Sequence, residues 1–348
     1  MMKVAIIIPT MDRPDFILRQ FEFYEQMKSP HPVYISDSSN EENAEKIKNG
    51  IKKFKNFEIA YQWAPPGKDC LYQLTPLVKE KYCIQMGDDD LIIPKTISEC
   101  ANFLESNPDY GTCMGRQINI RLENDVGLFG KILRLSPPIN RSAEHDDLRI
   151  RVKELFQEPI FIVFSVRKTD DERALRDITR HFFLASHMEE FLVVNLLLSF
   201  GKSKTLDKLG YIMQIHKQRH APLFYNSYID FLLSPDMHEQ WKTCEREFAG
   251  LLHRQGMSME ESLRTVKWLF TFFLSRQFTL NTQDVVLNDL KHKINFKKKL
   301  KSKLKHFARK IHMLKKIYQK INPPVYADNI QSKYYQDFKI VKDFIEKN

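Results

Sequence analysis

Tyr82 to Pro94 reads YCIQMGDDDLIIP: a short apolar run, a glycine, three successive aspartates, a second apolar run and a proline. Adjacent carboxylates repel one another, so a plain turn has no use for three of them. A single Asp after a strand serves as a turn residue or a helix N-cap. Three at a strand end suit a hard divalent cation, which takes oxygen ligands and relieves the repulsion. On these residues alone a loop of solvated acids stays open as the other reading. Pro94 fits the first turn of a following helix, where its missing N–H costs nothing.

Upstream, the runs VAIII (4–8), VYI (33–35) and FEIAYQW (57–63) have the length and the β-branched or aromatic bias of strands, as does YCIQM (82–86). Helical spacing falls between them near 15–27, 41–54, 70–79 and 95–106. A βαβα series of this kind makes a Rossmann-like α/β fold, a mostly parallel sheet flanked by helices. Such sheets bind ligands beyond the C-terminal strand ends, where the strand order switches. Turn-forming and charged residues stand at each of those ends: Pro9, Thr10, Asp12 and Arg13; Asp37; Pro65, Pro66, Gly67 and Lys68; and Asp88, Asp89 and Asp90.

Downstream, IFIVFSV (160–166) is strand-like and Asp146-Asp147 reads as a helix start. SHMEEFLVVNLLLSF (186–200) reads as a buried helix opening with Glu189 and Glu190, stopped by Gly201 and followed by the strand YIMQIH (211–216). Past Pro222 the pattern is helical throughout. Two domains are expected, an α/β domain over 1–222 and a helical C-terminal region over 223–348.

With 348 residues and 43% apolar composition the chain can build a sizeable core. Five scattered cysteines without a CxxC pair suggest neither a zinc ribbon nor a disulfide framework. No run is long and apolar enough to span a membrane, and the N-terminal run is too short for a secretion signal, so the expected location is the cytoplasm. The net charge of +10 is local: residues 291–320 hold thirteen Lys or Arg and no acid, which leaves −3 elsewhere. Leu300, Leu304, Phe307, Ile311, Leu314, Tyr318 and Ile321 fall on one helical face among these lysines. That pattern over 291–321 suits a helix lying in an anionic membrane surface and would hold the chain on its inner leaflet. Packing on the chain's own helices or on a second copy is the competing use. Nucleic acid would leave the apolar stripe idle and is not expected as a partner.

Taken in order, IIPTMDRP, YISDSSNEEN and MGDDDLIIP, each at a strand end, resemble the family-2 glycosyltransferases of the GT-A fold over about residues 3–116, and more weakly over 186–220. The resemblance implies transfer of a sugar from a nucleotide-sugar to an acceptor hydroxyl with inversion, aided by Mn²⁺ or Mg²⁺. It implies that Pro9, Thr10, Arg13, Asp37, Lys68 and Asp88 line the nucleotide-sugar pocket. Asp89 would ligate the metal, with Asp90 supporting or sharing that role and His216 as a further ligand or a diphosphate donor. Gly87 departs from the pattern, because many relatives carry an acid there. The general base would be Glu190, with Glu189 as the second candidate, although an acidic pair at a helix start also stabilises that helix by ~0.3–1 kcal/mol per residue. The implied acceptor is a saccharide or lipid-linked glycan, as in bacterial surface polysaccharide synthesis. The alternative is a non-catalytic sugar-nucleotide or membrane-binding module that keeps the fold.

Overall fold

The protein is seen in a computed structural model that describes residues 2–64, 70–125, 127–140, 142–156, 162–180, 186–216, 235–275 and 326–347, without the side chains of 186–191 and 236. Among the described residues nine strands form one sheet. They are β1 (Val4–Thr10), β2 (Val33–Asp37), β3 (Ile59–Trp63), β4 (Tyr82–Gln85), β5 (Leu91–Ile92), β6 (Tyr110–Leu122), β7 (Ile132–Leu135), β8 (Val166–Lys168) and β9 (Lys202–Gln214). Their order is β3-β2-β1-β4-β8-β6-β9-β5, with β7 on β6. β3, β2, β1 and β4 run parallel, β8 is inserted antiparallel to both β4 and β6, and β6 and β9 are parallel again. The expected α/β class holds: the sheet is mixed, mostly parallel and flanked by helices.

Building outward from β1, the chain lays down β2 and β3 on one side and then crosses back to place β4 on the other. The gap between the C-terminal ends of β1 and β4 is therefore the switch point. Pro9 lies inside β1 rather than after it, paired with Ser36. Ile6 N–H donates to Pro32 O and Ser38 N–H to Thr10 O on the β2 side, whereas Met86 N–H donates to Ile7 O on the β4 side. Odd-numbered backbone groups of β1 thus face β4, whose last paired residue is Gln85 opposite Ile7. The donor that Pro9 lacks falls past the end of β4, so no ladder bond is lost.

The helices follow from similar local chemistry. Helix α1 (Pro14–Gln26) and helix α4 (Pro94–Ser106) each begin on their proline, and α2 (Glu41–Ile51) is capped by Asn40, which accepts from Asn43 N–H at 2.9 Å. Short α3 (Cys70–Leu74) follows β3. The acids at 146–147 do start a helix: Asp147 Oδ1 accepts from Arg149 N–H at 2.7 Å and opens α5 (Leu148–Phe156). Of the run 160–166, residues 162–165 are not a strand and only Val166 belongs to β8. Ile162–Phe164 is a 3-10 turn, because Ser165 turns both N–H and Oγ back on Ile162 O, and pairing begins only at Val166. After α6 (Thr169–Thr179), α7 (Ser186–Ser199) is buried through Leu192, Leu196, Leu197 and Leu198 as its composition requires. It stops at Gly201, where φ is 153° and a Cβ would lie 2.5 Å from Gly111 N, so no other residue fits.

The chain divides into two compact units, residues 1–265 with 326–348, and residues 266–325. The border expected near 222 lies outside the described residues, as does the basic segment 291–321. All five cysteines are buried and unpaired, and among the described residues no helix is long and apolar enough to cross a membrane. The last helix (Tyr335–Ile345) joins the core of the sheet: Phe344 is buried with its ring 5.1 Å from Phe23 and 5.6 Å from Phe129, and Gly130 N–H donates to Ile345 O. Phe344→Ala is therefore expected to cost ~3–5 kcal/mol in urea unfolding. A loss below ~1 kcal/mol would mean that this helix is not part of the core.

Candidate active site

Thr10, the last residue of β1, donates its hydroxyl to Asp88 Oδ2 at 2.8 Å and pairs on its other side with Asp37, the last residue of β2. The turn beyond it is held by Asp12, in the left-handed region at φ 55°. Asp12 Oδ1 accepts from Asn40 N–H and from Asn43 Nδ2, both at 3.0 Å, and Asp12 N–H donates to Ser39 Oγ at 2.7 Å. Two neighbouring strand-to-helix turns are stapled together in this way. Arg13 follows at the N-cap position of α1 but makes no capping bond with its side chain, which leaves the guanidinium to reach the aspartates.

Arg13 Nη1 lies 2.8 Å from Asp88 Oδ1 and Nη2 lies 3.0 Å from Asp89 Oδ2. His216, just past β9, places Nε2 2.6 Å from the same Asp89 oxygen and 3.1 Å from Arg13 Nη2. Phe16 floors the cluster: its ring stacks on His216 at 5.2 Å and lies 4.3 Å from the Arg13 guanidinium. The switch point thus brings together Thr10, Arg13, Asp88, Asp89 and His216, residues from three distant parts of the chain.

The three aspartates live in different surroundings. Burial raises the Asp88 carboxyl to about 6, against the pull of Arg13. Burial also pushes Asp89 upward, but the His216 hydrogen bond and Arg13 outweigh it and leave Asp89 at about 2. Asp90 is driven well above the usual range by complete burial and by its neighbour Asp89. Both its oxygens are engaged, Oδ1 by Gln214 N–H at 2.9 Å and Oδ2 by the Tyr211 hydroxyl, which ties the aspartate turn to β9. Gly87 is explained by the same crowding. A Cβ there would lie 2.9 Å from Asp89 Oδ1 and 3.0 Å from Asp90 Oδ2, so a side chain at this position would require these carboxylates to shift.

A pH dependence follows. Between the unfolded value near 3.8 and about 6, folded Asp88 keeps a proton that the unfolded chain releases, so its contribution to stability declines as pH rises through that window. Asp89 acts oppositely and lower: its contribution is complete above about 3.8 and is lost as pH falls toward 2. Asp88→Asn removes only the first effect. Relative to wild type, its unfolding free energy should gain on the order of 3 kcal/mol between pH 4 and pH 7, and a constant difference across that range would refute the assignment.

Asp37 is fully buried at the rim, with Oδ1 accepting from Ser39 N–H at 2.8 Å and Oδ2 from the Tyr61 hydroxyl. Lys68 lies outside the described residues. Glu189 and Glu190 sit near the start of α7, and their side chains are outside the described residues. Among the residues that sequence reasoning missed, Arg19 matters most. Only 2% exposed, it donates to Leu128 O, Gln214 Oε1 and Asp89 O, while Gln20 Nε2 donates to Gly87 O and, at 2.7 Å, to Asp90 O. The signal was two polar residues, Arg19 and Gln20, on the apolar face of α1 between Phe16 and Phe21.

Among the described residues no three His, Cys, Asp or Glu side chains form a cage for a metal ion. Asp89 Oδ2 and His216 Nε2 are nevertheless an oxygen and imidazole pair of the kind Mn²⁺ accepts, with remaining positions left to phosphate oxygens and water. His216 Nδ1 is buried and has no hydrogen-bond partner among the described residues. The residues present would fit such a two-ligand site. Two open depressions of about 540 and 530 Å³ lie elsewhere, one beside Glu22, Phe54 and Phe344 and the other beside Asp147, Arg151 and Leu252.

No protein-family model matches the sequence, and no curated protein matches it. Solved structures do resemble it in fold. S. aureus TarS 1–349 in complex with UDP-GlcNAc is 15% identical with a TM-score of 0.49, over 80% of this chain and 73% of that one. A further structure of S. aureus TarS 1–349 gives 14% and 0.48, over 80% and 72%. The mannosyltransferase PcManGT from Pyrobaculum calidifontis, in complex with GDP-Man and Mn²⁺, gives 10% and 0.39, over 82% and 79%. These are likenesses of shape at a level from which shared chemistry does not follow.

Proposed function

We propose that this protein is a glycosyltransferase that moves a sugar from a nucleotide-sugar to an acceptor hydroxyl by single displacement with inversion. The observation that carries the reading is the convergence of Thr10, Arg13, Asp88, Asp89 and His216 at the switch point between β1 and β4, the place where open α/β sheets bind ligands. Pro9 and Thr10 border the nucleotide, Asp37 shapes the turn that faces it, and Lys68 and Arg13 meet the diphosphate. Asp89 and His216 would hold Mn²⁺ or Mg²⁺, with Asp88 beside them and Asp90 bracing the turn. When bound, the ion neutralises charge that develops on the departing diphosphate. Glu190, or Glu189 in its place, accepts the proton of the attacking hydroxyl.

In this reading the unit formed by residues 1–265 with 326–348 carries the chemistry, and the basic segment 291–321 meets an anionic membrane on the cytoplasmic side. That placement suits a saccharide acceptor tethered to lipid, as in bacterial surface glycan synthesis. The test is turnover: the full chain with Mn²⁺ and a panel of UDP-, GDP- and dTDP-sugars, followed for release of nucleoside diphosphate and, by proton NMR, for the anomer formed. Release from one donor with inverted configuration is expected. Retained configuration would remove the single displacement, and no release from any donor would favour a binding module.

A further inference from the structure

Arg13 is a cation already seated among the rim carboxylates. Its two terminal nitrogens bridge Asp88 and Asp89, its Nη2 also touches His216 Nε2, and its side chain is only 11% exposed. The nitrogen lies 3.0 Å from Asp89 Oδ2 and 3.1 Å from His216 Nε2, so it holds the ground that an ion bound to both would need. A guanidinium and a divalent cation repel strongly at such separations in a buried site. Both cannot reside there together.

We propose that Arg13 is a resident counter-ion that must leave Asp89 and His216 before a divalent cation binds, and that a nucleoside diphosphate draws it away. The proposal rests on the reading of this rim as a diphosphate site. Departure is feasible because the Arg13 side chain caps nothing and its Nε, though buried, has no hydrogen-bond partner among the described residues. Among the described residues, the two ion pairs, the His216 contact and the Phe16 stacking are what hold it. The planar guanidinium fork suits phosphate oxygens as well as carboxylates, so the diphosphate offers Arg13 an equivalent partner at the moment the carboxylate is needed by the ion. Arg19, pinned by Leu128 O, Gln214 Oε1 and Asp89 O, keeps the turn in place during the exchange. Ion and nucleotide then bind with positive coupling, and by reciprocity each raises the affinity of the other by one common factor.

Mn²⁺ titrated into the full chain, with free ion counted by electron paramagnetic resonance, tests this without reference to activity. In the absence of nucleotide, Arg13→Gln is expected to bind Mn²⁺ about tenfold or more tighter than wild type, and the gain conferred by UDP or GDP should shrink by the same factor. Arg13→Lys, a point charge without the fork, should fall between them. Equal or weaker Mn²⁺ binding by a folded Arg13→Gln, judged by circular dichroism, overturns the proposal. Should Arg13→Gln fail to fold, Arg13→Lys decides by the same comparison. Tight Mn²⁺ binding by wild type that nucleotide does not alter overturns the counter-ion role alone. Absence of Mn²⁺ binding in every form, with and without diphosphate, removes the diphosphate site as well.

Discussion

Asp89→Asn is expected to lower turnover by about 10²–10³-fold or more, the range seen when one preorganised charge-stabilising contact is removed from an active site. The expectation follows from what surrounds this carboxylate. Alone among the three it is held below the usual carboxylate range, at about 2, with His216 and Arg13 on one oxygen. Asparagine keeps the shape but not the charge, so it neither holds Arg13 nor ligates a cation well. Asp90→Asn should behave differently, because Asp90 faces Tyr211 and the backbone of Gln214. Its loss should register in melting temperature more than in the chemical step. Kinetics on both variants with a common donor separates the roles, and equal loss of kcat in the two would erase the distinction drawn between them.

Glu190→Gln should reduce kcat by about 10²–10⁴-fold, the contribution of a positioned general base, with affinity for the nucleotide unchanged. Glu189→Gln on the same assay should be milder. Removing a base takes away an interaction made only as the proton moves, so the ground-state complex should survive. Isothermal titration of nucleoside diphosphate into each variant supplies the second half of the comparison. Full turnover in Glu190→Gln together with collapse in Glu189→Gln would reverse the assignment, and full turnover in both would exclude the pair.

The parallel strands β1 to β4 were legible because each is an apolar run ending abruptly in turn-forming or charged residues and alternating with helical spacing, whereas β6, β7, β8 and the first half of β9, with polar residues interrupting them, left no such run to read. The rim was legible for the same reason: strand ends in a parallel sheet share one edge, so Thr10, Asp37 and the aspartates had to be neighbours. The differing fates of Asp88, Asp89 and Asp90 were not legible. They are set by Arg13, Tyr211 and Gln214, partners more than 70 residues from them in sequence for Arg13 and more than 120 for Tyr211 and Gln214. The strand-like run at 160–166 failed locally, since a serine hydroxyl competing for a backbone carbonyl leaves no trace in apolar periodicity. The return of the last helix to the core beside Phe23 and Phe129 is a contact of long range that amphipathic spacing could suggest but not direct.

Direct titration of the wild-type chain and of Asp89→Asn with UDP and GDP, each in the presence and absence of Mn²⁺, reaches furthest into this account. It predicts that at least one diphosphate binds wild type, that Mn²⁺ strengthens the binding, and that Asp89→Asn loses the strengthening. Indifference of wild type to both nucleotides at any Mn²⁺ concentration, or an Asp89→Asn protein that binds as wild type does, would contradict it.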